Sequence, residues 1–538
     1  MTLPATSRTT PAGTPLGDAF HVYDTTLRDG AQAEGITYSV ADKLAVARLL
    51  DELGVGFIEG GWPGAMPKDT EFFARAAAEL DLRHAVLVAF GATRKPGLVA
   101  ADDPQVRALL DSVAPVVTLV AKSDRRHVER ALRTDPAENR AMVTDTVTLL
   151  VSQGRRVFVD LEHFFDGYTH DANHAVGVVQ AAVQAGADVA VLCDTNGGML
   201  PLQVGEVVAA VSARTGARLG IHCQDDTACA VANSISAVQA GASHVQCTAN
   251  GYGERTGNAD LFAVIGNLAT KLGMPVLPEG ALADLVRVSH ALAELANTAP
   301  EPRQAYVGAS AFAHKAGLHA SAIKVDPELY NHLDPAVVGN DMRVLVTEMA
   351  GRASIELKGR ELGVDLAGQG QAVSQVVERV KALESRGWSF EAADASFELL
   401  LREAIGAVAP APFLLESYRV ILEHRAGGSV VAEATVRGEV SGTRVIATAE
   451  GNGPVNALDA ALRTALRPAH PWVDAVELAD YKVRILDGSH GTDAVTRVLI
   501  TSADGAARWT TVGVDDNVVE ASWLALVDAM AYAALHRD

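Results

Sequence analysis

The chemistry in this sequence starts at Arg28-Asp29, which follows the short apolar run His21-Val-Tyr-Asp24. Asp29 offers a hard oxygen ligand suited to magnesium, manganese or zinc. Arg28 beside it is a fixed cation that would stabilise an enolate or alkoxide, and a surface arginine is the bland alternative. His222 ends a later apolar run, and Gln224 shares its side because strand side chains alternate with period two. An imidazole and an amide oxygen thus form a candidate ligand pair, with Cys223 turned away. His222 alone would as readily be a satisfied core histidine. Glu162 and His163 follow another run and are titratable groups for proton transfer. His314 and His319 are acid or base candidates if their segment folds over these groups, and surface histidines otherwise.

Elements must bring these groups together. From His21 to about Asn250, short apolar runs rich in β-branched residues alternate with helical stretches. Eight runs stand out, at 21–24, 55–59, 85–90, 116–121, 157–161, 189–193, 219–222 and 244–248. Each is continuous, as in buried parallel strands. Ser39-Val-Ala-Asp42 is a capping box, Leu44, Ala47, Leu50 and Leu53 follow at helical spacing, and Gly54 ends that helix. Eight βα units over about 250 residues predict a (β/α)₈ TIM barrel, with an open doubly wound sheet as the alternative. Polar residues collect where the runs end: Arg28, Asp29, Glu59, Lys122, Ser123, Glu162, His163, Asp194, Thr195, Asn196, His222 and Asn250. In a barrel these ends meet at one mouth, where active sites sit. The glycine-rich Asn250-Gly-Tyr-Gly-Glu-Arg-Thr-Gly-Asn258 lets backbone approach a ligand, and its Glu254 and Arg255 could pair across the mouth. Its spacing and late position argue against a dinucleotide fingerprint.

The chain has 538 residues and a net charge of −21. One core stops growing at roughly 250–300 residues, so more than one domain is expected. The charge argues against nucleic acid or an acidic membrane as partner, and a phosphorylated ligand would need a local basic pocket. Four cysteines without a paired framework suit a reducing cytoplasm. No membrane span or signal peptide is read. The expected division is a disordered tail over 1–18, the barrel over 19–285, a helical linker region over 286–405 and a C-terminal α/β domain over 406–538. In that last domain, strands are expected near 418–422, 429–437, 443–450, 481–486 and 495–501, with helices over 453–466 and 519–535. Gly451-Asn-Gly-Pro-Val-Asn456 is either an anion site at a helix N-terminus or a tight turn with proline at the helix start.

The motif Asp24-Thr-Thr-Leu-Arg-Asp-Gly-Ala-Gln32 resembles that of the acyl-CoA/2-oxo acid condensing enzymes, the DRE-TIM metallolyases, which include 2-isopropylmalate, homocitrate and citramalate synthases. Asn250–Asn258, at its distance from His222, is similar to the family's second motif. Asp160-Leu-Glu-His-Phe-Phe-Asp-Gly-Tyr168 and Cys193-Asp-Thr-Asn-Gly-Gly198 look most like the citramalate synthase branch. The resemblance runs from about residue 21 to the C-terminus. It implies a divalent metal (Mg, Mn or Zn) held by Asp29, His222 and Asn258, with Gln224 where the family has a second histidine. It implies catalytic roles for Arg28, Glu162, His319 and Tyr330, the last two brought from beyond the barrel by a partner subunit. It places the 2-oxo acid at Thr195, with Gln32 and Asn196 counted beside it. The expected activity condenses acetyl-CoA with pyruvate to (R)-citramalate and free CoA in isoleucine biosynthesis, in a cytoplasmic homodimer. The final domain is expected to dimerise and to bind an end-product amino acid. Gln224 keeps two alternatives open: a related synthase using another 2-oxo acid or acyl-CoA, and a catalytically impaired amino-acid-sensing paralogue. A lyase of hydroxy-acyl thioesters is disfavoured by the C-terminal domain, which that branch generally lacks.

Overall fold

The computed structural model describes residues 18–407, 411–424, 426, 428–486 and 494–537. The expected tail lies outside them save for Asp18. Two compact units emerge: residues to Phe312 with Leu333–Asp341, and Ala313–His332 with the chain from Met342 onward.

The first unit contains the predicted barrel. Its strands are β1 (His21–Asp24), β2 (Phe57–Gly61), β3 (Val86–Ala92), β4 (Val116–Lys122), β5 (Arg156–Glu162), β6 (Val189–Asp194), β7 (Leu219–Cys223) and β8 (His244–Cys247). They pair in parallel and in sequence order, and β8 returns to β1 with His21 opposite His244. Helices α1 (Val40–Leu53), α2 (Pro67–Glu79), α3 (Pro104–Asp111), α4 (Arg125–Arg130), α5 (Pro136–Ser152), α6 (Phe164–Gln184), α7 (Pro201–Thr215), α8 (Ala230–Gln239), α9 (Leu261–Thr270) and α10 (Leu285–Leu295) complete the unit. The capping box of α1 forms as read, and Gly54 closes the helix at φ 93°. A Cβ at Gly54 would lie 2.1 Å from Pro278 Cδ, so both backbone and space require glycine.

Alternation sorts the strand side chains. Val22, Ile58, Ala89, Val117, Val159, Ala190, Ile221 and Val245 face the helices in one apolar cluster. Tyr23, Phe57, Val88, Val116, Phe158, Val189, Val191 and Cys193 form a separate cluster inside the barrel. At the N-terminal end of the strands, Phe57 and Phe158 pack edge to face at 5.3 Å, and His21 and His244 join them. One turn further along, the interior becomes polar: the Tyr23 hydroxyl reaches Glu59 at 2.7 Å and Thr118 at 2.8 Å. The pleat therefore carries an aromatic plug below a polar floor.

The second unit begins with a short parallel pair, β9 (Ala313–His314) and β10 (Arg343–Val344), flanked by α11 (Gly317–Ile323), α12 (Arg352–Glu361), α13 (Gly370–Glu384) and α14 (Asp394–Ala404). Two βββα halves follow. The first is β11 (Leu414–His424), β12 (Val430–Val440), β13 (Thr443–Gly451) and α15 (Pro454–Leu466). The second is β14 (Glu477–Ile485), β15 (Thr496–Ala503), β16 (Arg508–Asp515) and α16 (Val518–Leu535). Both sheets are antiparallel, and their helices share one core in which Ala432, Ala434, Leu458, Leu462, Ile500, Trp523 and Leu526 are buried.

Three details add to the sequence reading. Strand β16 was not foreseen. Its Thr511 is buried, with its hydroxyl donating to Ala525 O at 2.7 Å, so polar residues interrupt what would otherwise read as an apolar run. The turn at 451–456 resolves as a closed turn, because Asn456 Oδ1 accepts from the Asn452 backbone N–H at 3.1 Å and Pro454 starts the helix. Among the described residues, α16 is long and apolar enough on average to cross a membrane, although Glu520 and Asp528 interrupt its apolar run. Its apolar face, including Trp523, Leu526 and Met530, instead lies in the core of this unit.

Phe158→Ala removes the ring that touches His21, Tyr23, Phe57 and His244. Urea unfolding is expected to show a loss of about 3–5 kcal/mol in the barrel transition. A loss below about 1 kcal/mol would mean that the plug does not close the barrel.

Candidate active site

Arg28 lies just past β1, where Thr25–Gly30 turns over the end of the barrel. Its Nε donates to Glu59 Oε2 at 2.7 Å and its Nη1 to Asp29 Oδ2 at 3.0 Å. Its Nη2 lies 4.0 Å from Asp160 Oδ2, and its guanidinium carbon stands 3.9 Å over the Phe90 ring. Burial alone would lower its proton affinity, but the carboxylates of Glu59, Asp29 and Asp160 raise it well above the usual arginine value. It is a permanent cation. Asp160 has the opposite problem: burial and the neighbouring Glu59 push its carboxyl up, and Arg28 only partly reverses this.

The side chains close into a ring. Asp160 Oδ1 accepts from Gln246 Nε2 at 2.8 Å, and Gln246 Oε1 meets His222 Nδ1 at 2.9 Å. His222 Nε2 lies 3.6 Å from Asp29 Oδ2, which returns to Arg28. Burial lowers the pKa of His222. Burial would raise Asp29, but Arg28, His222 and the amides of Asn258 and Gln224 hold it below the usual carboxylate range.

Two more groups converge on Asp29. Asn258 donates to Asp29 Oδ1 at 3.3 Å and to Tyr252 O at 3.0 Å. Gln224 Nε2 lies 3.5 Å from His222 Nε2. The oxygens Gln224 Oε1 and Asn258 Oδ1 are both buried and lack a hydrogen-bond partner. A buried amide oxygen left unpaired is costly, so two beside a carboxylate and an imidazole suit a cation. The set Asp29, His222, Gln224 and Asn258 therefore fits a divalent metal. Among the described residues no group of three or more His, Cys, Asp or Glu could hold one, so the two amides are essential to the fit.

The glycine-rich loop makes this convergence feasible. Gln224 and Asn258 face each other in an isolated antiparallel bridge, and Ala259 N donates to Cys223 O at 3.1 Å. Gly257 sits at φ 93°, and a Cβ there would lie 1.9 Å from Gly251 O.

A cavity of about 470 Å³ opens on this ring and is lined by Arg28, Asp29, Gln32, Glu162, Thr195 and Gln224 among others. Thr195 Oγ1 accepts from the His163 backbone N–H at 2.8 Å, which leaves its own proton to donate into the cavity. Glu162 is ion-paired with Lys122 at the cavity wall. Several expected residues fall elsewhere. His163 takes a left-handed backbone at φ 57° and stacks on His127 at 4.0 Å, so it does not line the cavity. Asn196 also leaves it: its amide donates to Asp166 at 2.8 Å and it lines a separate hollow with Arg126, His127 and Arg130. Arg255 pairs with Asp226 at 2.8 Å rather than with Glu254 and braces Thr195 O at 2.8 Å. His319 and Tyr330 belong to the second unit, where their rings stack at 4.1 Å. Sequence reasoning passed over Asp160 and Gln246. Period two would have found them, since Asp160 shares the inward face of β5 with Phe158 and Gln246 that of β8 with His244.

Gly257→Ala is expected to destabilise the barrel unit by about 2–4 kcal/mol through the left-handed φ and the clash with Gly251 O. Gly198→Ala, which meets nothing within 4 Å, should stay within about 0.5 kcal/mol. Equal denaturation midpoints for the two variants would contradict the close approach at Gly257.

Comparison with known proteins agrees with this geometry. Residues 19–292 match the HMGL-like family model, 306–387 the homocitrate synthase post-HMGL domain-like model, and 391–534 the LeuA allosteric (dimerisation) domain. The chain is 64% identical over 524 residues to an (R)-citramalate synthase of Streptomyces coelicolor, covering 97% of this chain and 98% of that one. It is 45% identical over 520 residues to an (R)-citramalate synthase of Aquifex aeolicus, covering 96% and 98%. A 2-isopropylmalate synthase of Methanocaldococcus jannaschii is 28% identical over 515 residues, covering 95% and 94%. The chain belongs to the HMGL-like family, in the group of acyl-CoA/2-oxo acid condensing enzymes that contains the (R)-citramalate synthases.

Proposed function

We propose that this protein is an (R)-citramalate synthase, joining acetyl-CoA and pyruvate with water to give (R)-citramalate and free CoA. The 64% identity to such an enzyme across nearly the whole of both chains carries this reading. Enzymes of the family use a divalent metal and acetyl-CoA. For this chain the reading takes Asp29, His222, Gln224 and Asn258 as the ligands and magnesium or manganese as the ion, because two amide oxygens and a carboxylate are hard donors. When bound, that ion supplies Lewis acidity toward the 2-oxo group.

The chain's own groups carry the rest. Thr195 orients the 2-oxo acid with its free hydroxyl proton, and Gln32 stands at the cavity rim. Arg28 stabilises the oxyanion that forms when the carbon nucleophile derived from acetyl-CoA adds to the ketone. Its attachment to Glu59 and Asp160 holds the guanidinium in place before any substrate arrives. Glu162 and, by family resemblance, His319 and Tyr330 serve the proton transfers. Thioester hydrolysis then releases the thiol and makes the step irreversible. The dimerisation-domain match supports a homodimer, and an end-product amino acid such as isoleucine is its proposed effector.

Thiol release from acetyl-CoA with pyruvate and Mg²⁺ or Mn²⁺ tests this directly. Native protein is expected to turn over, and Arg28→Lys to lose about 10²–10³-fold in kcat. No release from a panel of 2-oxo acids under any divalent metal would end the reading. Gln224→His should move metal preference toward Zn²⁺. Activity present only in that variant would make the native chain a non-catalytic amino-acid-sensing protein instead.

A further inference from the structure

We infer that Gln246 is a positioning residue that fixes the tautomer of His222 and so pre-forms the cation site. This rests on reading Asp29, His222, Gln224 and Asn258 as that site. Gln246 lies on β8, is buried, and touches neither the cavity nor Asp29. It makes two short contacts with opposite polarity requirements. On one side its Nε2 donates to Asp160 Oδ1 at 2.8 Å, an oxygen that accepts whether or not Oδ2 carries a proton. The amide nitrogen faces Asp160, which leaves Oε1 facing His222 Nδ1 at 2.9 Å.

An amide oxygen is also only an acceptor, so His222 must carry its proton on Nδ1. The lone pair is then on Nε2, which faces Asp29 Oδ2 at 3.6 Å and the Gln224 amide at 3.5 Å. A metal-ligating histidine needs that polarity, with the remote ring nitrogen donating outward. Arg28, 4.0 Å from Asp160 Oδ2, anchors the far end of the relay. The direction of the whole chain depends on which end of the Gln246 amide faces His222. A flipped amide would present its N–H to Nδ1, move the His222 proton to Nε2 and point it at the cation site.

The test uses the full-length protein and Mn²⁺ alone, without substrate. Gln246→Met keeps the volume and loses the acceptor, and its Mn²⁺ Kd should rise about 10–100-fold. Gln246→Glu restores an acceptor to Nδ1–H and can share one proton with Asp160, so its Kd should stay within about threefold of native. A merely structural role would not separate these two variants, and equal Mn²⁺ affinity in native and Gln246→Met overturns the proposal. An independent readout is the ¹⁵N shift pair of His222 in the metal-free native chain, where the Nδ1–H tautomer is expected. An Nε2–H tautomer overturns the proposal even if neither variant folds. A native chain that shows the Nδ1–H tautomer but binds no Mn²⁺ would remove the metal reading while supporting the relay.

Discussion

The burial of one guanidinium organises this barrel mouth. Arg28 cannot lose its proton, and a buried charge without partners would be prohibitively costly. Three carboxylates from three different strand ends therefore gather on it, along with the face of Phe90. Glu59 comes from β2, Asp160 from β5 and Asp29 from the turn after β1. Each needs its strand to end at the same height, and closure of the barrel guarantees this. The polar floor of Tyr23, Glu59 and Thr118 follows as well, because a buried carboxylate must fill its remaining acceptor sites.

This arrangement also explains how a chain of net charge −21 can host anionic substrates. The global field opposes them, so attraction must be local. Around the cavity most carboxylates are already engaged: Asp226 on Arg255, Glu162 on Lys122, Glu59 on Arg28. Replacing a charged or imidazole ligand by the neutral amides of Gln224 and Asn258 hardens the donor set without adding negative charge. Gln224 is then consistent with the carboxylate-rich surroundings rather than an isolated defect.

Much of this was legible in the sequence because it follows from periodicity. Eight apolar runs gave eight strands, and the capping box and Gly54 bounded α1 as read. Pairing His222 with Gln224 needed only the alternation of a strand. What escaped required tertiary contact. Asp160 and Gln246 sit within apolar runs and read as tolerated exceptions until neighbouring strands place Gln246 one hydrogen bond, and Asp160 two, from His222. Asn196 follows Thr195 and shares its motif, but one residue further along the backbone faces a different hollow. His163 turned away for a similar reason, since its left-handed backbone redirects the ring toward His127. In the second unit, β16 hid behind the half-buried Thr510, paired with Thr501 on β15, and the buried Thr511, whose burial is tolerable because its hydroxyl finds a partner on α16.

The polar floor has a consequence for attempts to harden the protein. The interior below it is apolar and aromatic, so a packing-based redesign would extend that layer upward and replace Glu59, Thr118 or Asp160 with hydrocarbon. Such repacking of buried ionic groups is often neutral or stabilising by about 1–4 kcal/mol once all partners are removed together. Arg28, one of those partners, would have to be replaced with them, which empties the ring of its purpose. In this barrel the steepest route to thermal resistance leads directly away from activity, and safe stabilisation has to be sought at the helices, caps and loops that never touch the mouth.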